Sequence, residues 1–141
     1  MVRHRHRDRH GRGLRGDLVP AGVPLAQSRS ERFDDLVLDA LERLERRWSD
    51  QLREVELAVE EVPPPPGPHE DVLPVRLGRA LPAARGLPAR IVVYRRPVEA
   101  RATGLRARAA LVHDVVVEQV AELLGIEPET VDPDYGSGSG D

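Results

Sequence analysis

Residues 103–128 read TGLRARAALVHDVVVEQVAELLGIEP, and whether this run is helix or strand sets the architecture of the whole chain. The triplet Val115, Val116, Val117 taken alone points to a strand, because β-branched side chains lose rotamer freedom in a helix. Length and spacing point the other way. No proline interrupts 103–124, and Leu105, Ala109, Val112, Val116, Val120 and Leu123 form one apolar arc at helical period. Gly125 stands where a left-handed residue closes a helix, and Pro128 follows at the expected distance. A helix from about Thr103 to Leu124 is predicted.

The segments upstream are shorter. ARIVVYRRP at 89–97 is β-branched and aromatic, which predicts a strand over 90–95 closed by Pro97. Residues 75–81 give a weaker strand signal, followed by a loop through Pro88. Val55, Leu57 and Val59 alternate with Glu56, Ala58 and Glu60, the period of a strand with one wet face. PPPPGP at 63–68 ends that strand and reads as a stiff connector rather than a recognition motif. Ser28 and Glu31 have the spacing of a capping box. Phe33, Leu36, Val37, Ala40, Leu41, Leu44 and Trp48 then keep helical spacing until polar residues interrupt near Ser49 or Asp50. Helix, strand, strand, strand, helix predicts a small α+β domain: a short sheet of about three strands with two main helices on one face.

Composition limits the chemistry. The 141 residues suit one domain. All 21 basic residues are Arg, with no Lys and no Asn, a codon bias that weakens arguments from Arg abundance. The absence of cysteine excludes disulfides, thiolate zinc sites and a Cys nucleophile. The opening MVRHRHRDRHGRG has no apolar region of a secretory signal, and no stretch is apolar enough to span a bilayer, so cytoplasmic residence without a membrane partner is expected. Residues 1–16 carry six Arg against Asp8, leaving the remaining 125 residues at about −8. The expected organisation is a flexible basic Arg/His-rich tail over 1–27, a folded domain over 28–135 and a flexible Gly/Ser end over 136–141.

LPARIVVYRRPVE at 87–99, the long helix, and EQVAELLGI at 118–126 together resemble the small bacterial zincin-like metallopeptidases, the minimal zincins. The resemblance runs over most of residues 30–131, including SERFDDLVLDALERL at 30–44. It implies the α+β fold of a minimal zincin and a helix whose motif is HExxHxxGxxD. In that motif two His on one helix face and a later ligand bind zinc, while the Glu takes a proton from metal-bound water. Aligning the motif's Gly with Gly125 puts Glu118 and Glu122 at the His positions, Gln119 at the catalytic Glu and Pro128 at the terminal Asp. Glu118 and Glu122 could still offer oxygen to zinc or to a harder divalent metal. An amide has no titratable site for base catalysis, and Pro128 has no side-chain donor atom, so no catalytic residue and no cofactor are expected.

Other chemistry is weaker. His113 with Asp114 mimics the start of HExxH, but Val117 holds the second position, so His113 is read as a packed structural His. Asp114, Glu118 and Glu122 form an acidic stripe, read as a solvated face or as a cleft floor for a cation or basic segment. In the tail, Arg3, Arg5, Arg7, Arg9, Arg12 and Arg15 could neutralise phosphates, so residues 1–16 are a candidate nucleic-acid arm. His4, His6, Asp8 and His10 could instead gather a metal, against the charge of the interleaved Arg. The functional expectation is a non-catalytic scaffold or binding module with a protein partner. The alternatives are a metal-dependent peptidase with carboxylate ligands and a nucleic-acid-associated protein using its basic arm.

Overall fold

A computed structural model describes residues 28–68 and 75–137, together with the backbone of 2–5. The elements are β1 (Val2–Arg5), α1 (Arg29–Leu52), β2 (Glu56–Glu60), β3 (Gly78–Leu81), β4 (Arg90–Tyr94), α2 (Arg95–Arg101), α3 (Leu105–Leu124) and α4 (Pro128–Val131). The arrangement is α+β, as expected for a minimal zincin-like domain.

The α1 helix begins as its sequence predicts. Ser28 Oγ accepts from the Glu31 N–H at 3.2 Å, and the Ser28 N–H donates to Glu31 Oε1 at 3.0 Å, satisfying two donors of the helix entry. The interruption expected near Ser49 is a kink at Trp48 (φ −120°, ψ 36°), after which one more turn carries the helix to Leu52. The Trp48 indole N–H donates to the Val131 carbonyl at 3.0 Å, which fixes the kink against α4.

The sheet order is β1-β2-β4-β3. β2 and β4 are parallel, with Leu57 opposite Ile91 and Val59 opposite Val93, while β3 runs antiparallel to β4 along the far edge. β1 pairs antiparallel with the other side of β2. This amends the reading of 1–27 as a tail without structure of its own: Val2–Arg5 is an edge strand, and the rest of that tail lies outside the described residues. Edge pairing uses backbone N–H and C=O groups alone, so VRHR carries no side-chain pattern to announce it.

One core joins Phe33, Val37, Leu41 and Leu44 of α1 to Leu57, Val59, Ile91 and Val93 of the sheet, with Val112, Val115, Val116, Val117 and Val120 of α3 between them. Because α3 meets α1 as well as β3 and β4, its buried surface is wider than the predicted arc, and all three consecutive valines are buried. Each such side chain contributes roughly 1.5–3 kcal/mol through removal from water, which outweighs the modest helix penalty of valine. Leu105, expected in the arc, is 65% exposed.

The far face of the sheet is not simply wet. Ala58, Val92 and Tyr94 are buried there as a second small cluster, with Leu81 packed against them. Two short helices also escaped the sequence reading. Pro97 does not stop the chain after β4 but occupies the first turn of α2, and Pro128 opens α4, positions where a missing N–H costs nothing. Among the described residues no helix is long and apolar enough to cross a membrane.

Candidate functional site

Glu118, Gln119 and Glu122 lie on the C-terminal half of α3, Pro128 opens α4, and the chain folds back toward the helix. Gly125 takes the left-handed conformation (φ 70°, ψ 33°), and its N–H bonds the Ala121 carbonyl. The chain then reverses through α4 and a series of turns reaching Ser137. Gly136 and Ser137, assigned from sequence to a flexible end, belong to this return: the Gly136 N–H donates to Asp114 Oδ1 at 3.1 Å, and Ser137 Oγ donates to the Asp134 carbonyl at 2.7 Å. Residues 138–141 lie outside the described residues.

The acidic stripe is therefore divided. Asp114 is only 9% exposed and is a capping acceptor for the return segment rather than part of a solvated face. Sequence spacing placed it opposite the arc, but a helix packed on several sides has no fully wet face at that level. Glu118 is exposed, and its Oε2 accepts a hydrogen bond from the Tyr135 hydroxyl. That carboxylate, followed by burial, pushes the phenol well above its ordinary range. Glu122 is exposed one turn further on.

His113, four residues before Val117, completes the clasp. Its Nε2 stands 2.7 Å from Asp132 Oδ2, with the two side chains 13% and 15% exposed. Asp132 Oδ1 in turn accepts the Asp134 N–H at 2.9 Å. Burial pushes the Asp132 carboxyl up, but the Asp134 N–H and the His113 pair outweigh it and hold it below its ordinary value. His113 is thus a tether between helix and return segment.

Gln119 is half-buried on the side of α3 that faces β3, with its Nε2 3.1 Å from where a Cβ at Gly78 would stand. The same Cβ would come within 2.9 Å of Val115 Cγ1 and 3.0 Å of the Val92 carbonyl oxygen. Glycine is required at 78 because α3 and β3 approach too closely for any side chain. Pro128 is the first residue of α4 and presents no donor.

These residues do not fit a zinc ion. Tyr135 engages Glu118, Gln119 is an amide against the sheet, and among the described residues no group of three or more His, Asp or Glu could hold a metal. Two cavities, of about 680 and 640 Å³, lie elsewhere, and neither is lined by residue 118, 119, 122 or 128. Of the tail arginines, Arg3 and Arg5 fall in β1, where only the backbone is described; Arg7, Arg9, Arg12 and Arg15 lie outside the described residues.

Sequence reading passed over the role of the YRRP segment. Arg95 Nε donates to Glu61 Oε2 at 3.0 Å, its Nη2 makes a second bond to Glu61 Oε1, and its Nη1 reaches Glu99 Oε1 at 2.9 Å. Arg96 adds a longer contact to Glu61 at 3.4 Å, and its N–H donates to the Glu61 carbonyl at 3.0 Å. Hydrogen bonding from Arg95 outweighs burial and holds the Glu61 carboxyl below its ordinary range. The segment is a bracket tying the end of β2 to the start of α2. Its one sequence signal was a pair of Arg followed four residues on by Glu.

Comparison with known proteins agrees with this fold. A family described as zincin-like metallopeptidase matches residues 52–137, well over half of the chain. No curated protein matches it.

Proposed function

This chain belongs to the zincin-like metallopeptidase family, and from that premise we propose that it is a non-catalytic member, a scaffold or binding module for a protein partner. The observation that carries the reading is the fate of the four motif positions. Glu118 is engaged by Tyr135 of the return segment, Gln119 packs over Gly78, Glu122 is exposed and Pro128 opens α4. Chemistry at this site would need three ligands and a base whose proton affinity suits neutral pH. An amide supplies no such base, and Pro128 supplies no ligand. With no cysteine to oxidise, cytoplasmic residence goes with this reading.

The test is elemental analysis of the full chain purified without a His-tag and without chelator, alongside hydrolysis of a generic protein substrate. The expected result is no stoichiometric divalent metal and no hydrolysis. Stoichiometric metal that disappears in Glu118→Ala, together with hydrolysis, would overturn the proposal in favour of a peptidase with carboxylate ligands.

A further inference from the structure

The opposite end of α3 carries unspent chemistry. A cavity of about 640 Å³ opens where the first turns of α1 and α3 converge beside α2, lined by Arg29, Arg32 and Arg108, by Asp35 and Glu99, and by Phe33, Leu36 and Leu105. Its size is that of an ordinary small-molecule site. Among the described residues none of the three arginines makes an ion pair, and the buried Nε of Arg108 has no hydrogen-bond partner. Leaving a buried charged donor unsatisfied is costly. Glu99 is already taken by Arg95 at 2.9 Å.

The placement of these arginines is the wrong sign for the local backbone. A helix N-terminus behaves as about half a positive charge and favours carboxylates. Arg106 and Arg108 instead occupy the beginning of α3, whose first turn has no acidic residue and no side-chain cap. Gly104 explains the missing cap: at φ 91°, ψ 155° it holds a backbone conformation essentially reserved for glycine, so no Ser or Asp can stand there. Arg29 and Arg32 stand in the opening turns of α1 as well, beside the Ser28–Glu31 capping box. The uncapped start of α3 and three arginines thus face one cavity, and Leu105 on its wall is 65% exposed.

We infer that this cavity binds an organic monocarboxylate with an aliphatic group, its head between Arg32 and Arg108 and its tail along Leu36 and Leu105. With Glu99 paired to Arg95, three arginines against Asp35 leave the lining net positive, and the apolar wall of Phe33, Leu36 and Leu105 favours a carboxylate with an aliphatic group over inorganic phosphate. The guanidinium fork matches a carboxylate in two parallel hydrogen bonds. The site is about 15 Å along the helix from Glu118, so it stands whether or not the motif positions bind metal.

Isothermal titration of the full chain with octanoate tests this, with 1-octanol and octyltrimethylammonium as tail controls and inorganic phosphate as a head control. Saturable one-site binding of octanoate is expected, well above all three controls. Arg108→Gln and Arg32→Gln should each weaken it about tenfold while leaving the far-ultraviolet circular dichroism unchanged. Octanoate binding no tighter than any control, or equal affinity in two folded variants, overturns the inference. The carboxylate could belong to a free acid or to a peptide C-terminus. Tighter binding of N-acetyl-Ala-Leu than of octanoate, lost on amidation, assigns it to a peptide end; the reverse order assigns it to a free acid, and both support the site.

Discussion

The two ends of α3 treat their charges in opposite ways. Toward the C-terminal end, His113, Asp114 and Glu118 are bonded to the return segment through Asp132, the Gly136 N–H and Tyr135. At the N-terminal end, Arg108 meets Arg29 and Arg32 across an open cavity with no ion pair among the described residues. The difference teaches that position along the helix, not residue type, decides which charges the fold absorbs: Asp114 is buried against the return segment while Glu118 and Glu122 stay exposed. Each end keeps one buried nitrogen without a partner among the described residues, His113 Nδ1 and Arg108 Nε, and what differs is that exposed Arg29 and Arg32 add positive charge beside Arg108.

The sharpest way to break this comparison is at Gly78, on which the packing beneath Gln119 depends. Gly78→Val would drive side-chain atoms into Val115 and the Val92 carbonyl, and the backbone oxygen cannot yield cheaply. A loss of about 3 kcal/mol in urea unfolding is expected. A loss below about 0.5 kcal/mol would mean that β3 stands further from α3 than described.

Next in size is the clasp. His113→Ala removes the partner of a largely buried Asp132 carboxylate and should cost about 2 kcal/mol. It should also raise amide exchange selectively in 126–137. Uniform exchange across the chain would show that the return segment is not a separately held unit.

Acid should weaken this end and the Arg95 bracket together. Glu61 and Asp132 both have folded carboxyls held below their ordinary values. Their contribution is therefore fully present above about pH 5 and lost as pH falls through the lowered folded values. Denaturation midpoints should drop over that acid window, and the drop should be shallower in Glu61→Gln and in Asp132→Asn. An unchanged slope in both variants would assign acid sensitivity to other carboxylates.

The smallest effect is expected at Glu118. Its contact with Tyr135 is solvent-exposed, so Glu118→Ala and Tyr135→Phe should each change stability by less than about 1 kcal/mol. A much larger loss from Glu118→Ala alone would point to a further role for that carboxylate.

Local rules settled a good part of this protein in advance. The Ser28–Glu31 box, the α1 arc, the β2 and β4 runs and the Gly125 stop are each set by neighbours within one or two turns, and sequence displays such neighbours directly. The same holds for the family resemblance, because it rests on two short continuous runs, 87–99 and 118–126. Contacts between distant residues had no such display. The parallel pairing of β2 with β4, the edge strand at Val2–Arg5, the burial of Asp114 and the pairing of His113 with Asp132 depend on where the chain returns after a reversal. So does the cavity, since Arg29, Arg32 and Arg108 look in sequence like three more charges on solvated faces. Only packing two helix starts against each other gives them a common neighbourhood. Periodicity and capping are local consequences of backbone geometry, whereas the distance between two side chains far apart in sequence is decided by the whole fold.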